Sequence, residues 1–366
     1  MLNYYMPVRL ITGKDSVLKN GKLISQYGSK CIIVTGRSSA KKCGALDDCI
    51  RILSENKIEY TIFDEIKPNP TVASCMEAGK KAHAFGAEFV LGIGGGSPLD
   101  AAKAVAIFAA NPDMDETKFY SKVWEHSPLP IVLIGTTSGT GSEVTKVSVL
   151  TDSAGKKHSI HLDSIYAALA FGDAEYTMST PKDISLSTGI DILAHCTEAY
   201  FSHKADEISR SYSIRGISLL FAPMMKLCND EPLDYSDREK LYEASILGGL
   251  AIATTGTCFP HNVGYYFTEN HNIPHGFACA QFYNDMLDIE MIREPEITQG
   301  FFSALNLSVE ELKNLVNKSV PANDIRLSEE LIEEILPRWE NNGSVLNTLG
   351  NVTTKDIREI LKKKFC

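Results

Sequence analysis

Short apolar runs and amphipathic stretches alternate through the first half of the chain. CIIVT (31–35) is a β-branched run ended by Gly36, and EYTIF (59–63) ends at Asp64. FVLGI (89–93) enters GGGSP, and PIVLIG (130–135) enters TTSGTGSEVT. Runs this short, apolar throughout and bounded by turn residues, predict buried parallel strands. Between them, about 40–54, 71–85 and the stretch after GGGSP carry helical periodicity. The alternation predicts right-handed βαβ units and an open, doubly wound parallel sheet. From 147 to 171 three β-like runs, VSVLT, HSIHL and AALAF, interrupt the pattern. After MSTP (178–181) the pattern turns helical, around 186–202, 207–228, 236–256, 276–292, 308–318, 328–337 and from Thr354. A boundary near Pro181 is expected, with an α/β domain over 1–181 and a helical domain over 182–366.

The two glycine-rich turns carry the first candidate chemistry, because open α/β sheets bind ligands beyond the carboxyl ends of their strands. Gly94, Gly95 and Gly96 let the backbone approach a bound group and adopt positive φ. Ser97 is expected as an N-cap, Pro98 at the first helical position and Asp100 at the third. The exposed N–H groups and dipole of such a helix start would hold a phosphate. A lone GGGSP begins a helix for packing alone about as often. The second turn, Thr136 to Ser142, adds hydroxyls at the neighbouring strand end, and the pair favours a dinucleotide. From residue 92 the chain reads GIGGGS, which is not G-x-G-x-x-G, so an ordinary Rossmann domain is not expected.

In the second half, four potential metal ligands stand out: Asp191 and His195 in GIDILAHCTEAY, His261 in TCFPHNVGYY and His275 in NIPHGFACA. Asp191 and His195 are an i, i+4 pair, so on a helix both face one way. His261 and His275 flank a non-helical NHNIP stretch and are expected on two consecutive helices that fold back toward that pair. One carboxylate and three imidazoles suit a divalent first-row ion such as Fe²⁺ or Zn²⁺, unlike the oxygen-only sets of Mg²⁺ and Ca²⁺. A lone D-x-x-x-H arises by chance on many helices, so its weight comes from the turns upstream.

Bulk properties narrow the partners. The 366 residues allow two cores, and 44% hydrophobic with 22% charged content is that of an ordinary globular chain. A net charge of −10 argues against nucleic acid or an anionic membrane and leaves small molecules as the expected ligands. Nine cysteines without a C-x-x-C pair fit reduced thiols. The sequence shows no basic segment followed by an apolar core at its start and no apolar run of about 18 residues, so a cytoplasmic location is expected.

Taken together, GGGSPLDAAKA, TTSGTGSEVT, the D-x-x-x-H of GIDILAHCTEAY and the His261 to PHG spacing resemble the iron-containing (group III) alcohol dehydrogenase family, in a form like its butanol and propanediol dehydrogenases. The resemblance implies a dehydroquinate synthase-like, Rossmann-related parallel sheet, an all-helical C-terminal domain that binds the metal, and a nucleotide whose nicotinamide lies near that metal. It implies Asp191, His195, His261 and His275 as the ligands, and as the catalytic set through the ion they hold. Gly95, Gly96, Ser97 and Asp100 match the pyrophosphate-side turn, and Thr136, Thr137, Thr140 and Ser142 match the second turn. Ser148 and Lys157 fall where the family contacts ribose or nicotinamide. A homodimer is expected on the same ground.

Two positions depart from the family pattern. Where many members carry an Asp that accepts from the ribose 2′-OH, this chain has Gly36, with Arg37, Lys41 and Lys42 nearby. Losing that carboxylate leaves room for a 2′-phosphate, so NADP(H) is favoured over NAD(H). Four residues after His261, where many members carry another histidine, stands Tyr265. The expected activity is hydride transfer between a small alcohol or aldehyde and NADP(H) or NAD(H). Iron is preferred over zinc, because four protein donors close a tetrahedral zinc site. The alternatives are a zinc-dependent polyol dehydrogenase of glycerol type and a non-redox dehydroquinate synthase-like enzyme. His271 is a candidate proton relay.

Overall fold

In the computed structural model, which describes residues 4–366, strand β2 (Lys30–Thr35) shows why the first half forms a sheet covered on both faces. Its side chains alternate. Ile32 and Val34 pack with the helices Val72–Phe85 and Gly96–Ala110, while Cys31 and Ile33 pack with Ala45–Glu55 on the other face. The remaining strands are β1 (Arg9–Thr12), β3 (Glu59–Phe63), β4 (Phe89–Gly94), β5 (Ile131–Gly135), β6 (Val147–Thr151), β7 (Lys157–His161) and β8 (Leu169–Gly172). Six of them form one parallel sheet in the order β1-β8-β5-β4-β2-β3, and β6 and β7 form a separate antiparallel hairpin. Residues 1–3, with which the expected first domain opens, lie outside the described residues.

The strand order places the reversal of the sheet between β2 and β4, since β3 lies outward of β2 on one side and β4 on the other. Gly36, GGGSP and the Thr136 turn therefore stand at the carboxyl ends of three adjacent strands, with Thr35 paired to Ile93 and Gly94 paired to Gly135. The edge strand β1 is absent from the periodicity because its four residues, RLIT, have exposed ends and no alternation. The stretch expected as one helix over 40–54 is two, Ser39–Lys42 and Ala45–Glu55, because Gly44 at φ +85° ends the first.

Two compact units emerge. The first holds the described residues up to Pro181 together with Asp234–Tyr242, and the second holds Lys182–Leu233 and Glu243–Cys366. The short segment joins the first unit through chemistry a sequence pattern does not carry: Tyr242 donates to the buried Glu143 Oε1 at 2.7 Å. The second unit is helical. From Gly189 to Tyr200 every residue of the Lys182–Tyr200 helix is buried, which marks it as central. Around it run Glu207–Cys228, Phe259–His271, His275–Ala280, Tyr283–Arg293, Pro295–Leu305, Val309–Ser319, Glu329–Ile335 and Thr354–Phe365. The stretch over 276–292 divides into His275–Ala280 and Tyr283–Arg293, and Pro295–Leu305, with proline at its first position, was not expected. Among the described residues no helix is long and apolar enough to cross a membrane.

Lys103 fastens the hairpin and the second turn to the Gly96–Ala110 helix. Fully buried, its Nζ donates to Ser142 Oγ at 2.8 Å, Thr145 Oγ1 at 3.2 Å and Val147 O at 2.8 Å. Burial pushes its pKa down to about 8, against the pull of Asp100 and Glu143. Lys103→Met keeps the stem and strips three acceptors of their donor, so it should cost about 3 kcal/mol of unfolding free energy in urea. A loss below about 0.5 kcal/mol would contradict that role.

Candidate functional site

At the carboxyl ends of β4 and β5 the two turns pack against each other. Gly94 sits at φ +152°, and a Cβ on Gly95 or Gly96 would stand 2.8 Å from Thr137 Oγ1 or 2.6 Å from Thr140 Cγ2. Only glycine permits that approach. The helix starts differently from expectation. Gly95 is its N-cap and Gly96 its first residue, so Ser97 lies inside the first turn and Asp100 one turn further on. The extended backbone at Gly95 launches the helix without a side-chain cap. The N–H groups of this first turn without a partner in the helix are those of Gly96 and Ser97, since Pro98 has none and the Leu99 N–H bonds the Gly95 carbonyl.

Asp100, Ser142 and Ser148 are committed to holding these turns together. Asp100 accepts from Ser142 Oγ at 2.6 Å and from the Val149 N–H at 2.9 Å, while Ser148 Oγ donates to the Asp100 carbonyl at 2.8 Å. Burial pushes the Asp100 pKa up, opposed by Lys103, the two hydrogen bonds and Lys157. The polar atoms left for a ligand are others: Thr136 Oγ1 and Ser138 Oγ are buried and have no hydrogen-bond partner. Thr136 was expected and Ser138 was not. Such orphans fit a bound polar group. Gly36 follows β2 half-buried, and Arg37, Lys41 and Lys42 beyond it are exposed.

The four candidate ligands gather in the helical unit about Asp191 Oδ1. His261 Nε2 lies 3.4 Å from that oxygen, His195 Nε2 3.8 Å and His275 Nε2 4.0 Å. Donors that share one ion at roughly 2.0–2.2 Å stand about 3–4.4 Å apart, and these spacings fall within that range. The cluster is dry: the Asp191 and His261 side chains are 4% and 2% exposed, while His275, at 30%, marks its open side. Asp191 Oδ1 and His261 Nε2 are buried with no hydrogen-bond partner, and a cation between them would satisfy both. Burial would raise the Asp191 pKa, but His195, His261 and His275 overcome it and hold the carboxyl well below its usual range.

Two residues that the sequence did not single out complete the cluster. Glu198, fully buried, stands seven residues after Asp191 on the same helix face; its Oε1 is 2.6 Å from His261 Nδ1 and its Oε2 accepts the Cys258 N–H at 2.6 Å. Only a carboxylate can accept from both. With Glu198 ionised, Nδ1 bears the proton and Nε2 turns toward Asp191. Cys279 is the second. Its Sγ and ligand atoms of Asp191, His261 and His275 all lie within 4.8 Å of one another, so mutual spacing admits Cys279 where proximity to Asp191 Oδ1 admits His195. His195 shares the central helix with Asp191 and stacks on His261 at 4.7 Å between ring centroids. Tyr265 stacks on His275 at 5.3 Å and 11°, bracing the imidazole where the family pattern has a histidine. His271 packs on Tyr266 and Phe267, and burial lowers its pKa.

Burial alone would depress the His261 pKa, yet the Glu198 and Asp191 carboxylates outweigh it and push it up to about 10. A raised histidine stabilises the fold below its unfolded value near 6.5 and loses that contribution as pH rises through about 10. In metal-free protein, histidine NMR should thus show His261 doubly protonated at pH 8, and Glu198→Gln should bring its titration down toward neutrality. An unchanged titration in Glu198→Gln would exclude Glu198 as the cause.

Comparison with known proteins identifies a family. The model of the iron-containing alcohol dehydrogenase family matches residues 7–174, and that of its C-terminal domain matches residues 185–365. The aldehyde-alcohol dehydrogenase 2 of Entamoeba histolytica is 32% identical over 266 residues, which cover 69% of this chain but only 30% of that longer protein. The NADPH-dependent butanol dehydrogenase of Clostridium saccharobutylicum is 29% identical over 331 residues, 87% of this chain and 82% of the relative. The crystal structure of an iron-containing alcohol dehydrogenase from Thermotoga maritima superposes with a TM-score of 0.90 at 34% identity, covering 100% of this chain and 99% of that one. With an α/β unit, a helical unit and both family models matched across it, this chain belongs to the iron-containing alcohol dehydrogenase family.

Proposed function

We propose that this chain is a metal-dependent alcohol dehydrogenase that moves hydride between a small primary alcohol or its aldehyde and NADP(H). The observation that carries the proposal is the buried cluster of Asp191, His195, His261 and His275, whose Asp191 Oδ1 and His261 Nε2 have no other partner. When bound, the divalent ion supplies Lewis acidity toward the substrate oxygen, and the nicotinamide supplies or accepts the hydride. Among Asp191, His195, His261 and His275, Asp191 contributes the one negative charge, so these four donors alone leave a net positive site that favours an ionised alcohol. Glu198 keeps the His261 Nδ1 proton so that Nε2 stays a donor. Tyr265 holds the plane of His275, and the 30% exposed flank of that ring is the side on which a substrate can reach the site. The dry walls strengthen every charge interaction inside.

In the α/β unit, the start of the Gly96–Ala110 helix would hold the pyrophosphate, with Gly95, Gly96 and Ser97 contacting it and Thr136, Thr137, Thr140 and Ser138 lining the neighbouring turn. Asp100, Ser142 and Ser148 position these groups, and Lys157 is expected at the ribose side. NADP(H) is favoured because Gly36 offers no carboxylate to repel a 2′-phosphate and three exposed cations follow it. Iron is favoured because four protein donors leave a substrate to raise the coordination number. The sulfur of Cys279 supports the second reading, a zinc-dependent polyol dehydrogenase. Nine free cysteines suit a reducing cytoplasm, and a homodimer is expected from the family.

Stripping the metal and reloading with Fe²⁺ or Zn²⁺, then following NADP⁺ and NAD⁺ reduction over a panel of primary alcohols and diols, tests these assignments together. Fe²⁺ should restore activity, with kcat/KM for NADP⁺ roughly tenfold or more above NAD⁺, about 1.4 kcal/mol. Gly36→Asp should reverse that ratio. Restoration by Zn²⁺ alone would establish the polyol reading, and a native preference for NAD⁺ would remove the cofactor assignment.

A further inference from the structure

Cys279, buried at the metal cluster, has no role in the iron reading above. We propose that Cys279 is a direct donor, its sulfur entering the coordination of the ion held by Asp191 and His261. The proposal rests on the metal-site reading and adds to it a soft ligand.

The placement of Cys279 is enforced by its surroundings. His275 and Cys279 are four residues apart on the His275–Ala280 helix and so share a face. Two glycines seat that helix directly on its neighbours. A Cβ on Gly276 would fall 1.8 Å from the Ser187 carbonyl oxygen and 3.1 Å from Asp191 Cβ, and one on Gly264 would fall 2.9 Å from the Cys279 nitrogen and 3.0 Å from its Cα. The backbone carrying Cys279 thus rests on both helices that carry Asp191 and His261.

Sγ lies 3.6 Å from His275 Nδ1 and 3.8 Å from Nε2, and within 4.8 Å of ligand atoms of Asp191 and His261. Donors on one ion, at about 2.0–2.3 Å each, are separated by no more than roughly 4.5 Å, so a contraction of a few tenths of an ångström brings sulfur into the shell. Independently, Asp191 Oδ1 and His261 Nε2, buried and unpartnered, are aimed at the same place. The neighbouring thiols are placed otherwise: Cys258 Sγ is hydrogen-bonded to the Glu198 carbonyl at 3.3 Å, and Cys196 Sγ faces Gly216. On binding, the Cys279 S–H proton passes to solvent and a sulfur lone pair forms the bond to the ion, with no change of oxidation state.

A sulfur donor favours Zn²⁺ over harder ions, so this inference weighs toward the zinc reading and against iron. The test is optical. Full-length protein freed of metal and given one equivalent of Co²⁺ should show a near-ultraviolet sulfur-to-metal charge-transfer band beside the visible d–d bands. Cys279→Ser, with Cys279→Ala as a second variant, should lose the ultraviolet band, keep the d–d bands and bind Zn²⁺ about tenfold or more weakly in chelator competition. Visible bands without the ultraviolet band in the parent, or an ultraviolet band that survives in both variants, would overturn the role of Cys279 alone. A parent that binds no Co²⁺ at all would overturn the metal site with it.

Discussion

The helical unit depends on one buried charge. Asp191 is almost wholly removed from water, and its Oδ1 accepts no hydrogen bond among the described residues. A carboxylate in that position costs several kcal/mol unless positive charge faces it. Three imidazoles do so, and they hold its pKa down against burial. Everything close by serves that arrangement: a central helix buried all round, two glycines that let the His275–Ala280 turn press against its neighbours, and Glu198, which sets the proton on the far nitrogen of His261. The cost of burying these groups is tolerable for a site that takes up a cation and hard to explain for packing alone.

The α/β unit solves a different problem, which is to hold two flexible turns still. Glycines bring the turns together, and Asp100, Lys103, Ser142 and Ser148 then lock them through a buried network that spends its polar atoms internally. What stays unspent is the helix start and the hydroxyls of Thr136 and Ser138. Network rigidity at one layer and unsatisfied donors at the next is the arrangement expected where a preorganised surface meets an anionic ligand.

Much of this was legible from residue order. Four strands of the sheet, the turn residues and the four ligand candidates follow from local pattern, because β-branched runs, glycine clusters and i, i+4 spacing act over a few residues. What escaped was set by distant partners. β1 has no alternation of its own and exists because β8 offers it a parallel neighbour. Residues 234–242 belong to the α/β unit because Tyr242 reaches Glu143, almost a hundred positions away in sequence. Ser97 and Asp100 do not cap the helix because the backbone at Gly95 starts it first. Glu198 and Cys279 carried a faint signal, at seven residues from Asp191 and four from His275, but only the fold shows that those faces meet.

Anomalous diffraction at the iron and zinc edges from crystals of metal-loaded protein tests the central claim most directly. One ion per chain should appear with Asp191 Oδ1 and His261 Nε2 both within about 2.3 Å of it. An ion bound elsewhere, or those two atoms left apart with water between them, would contradict the account.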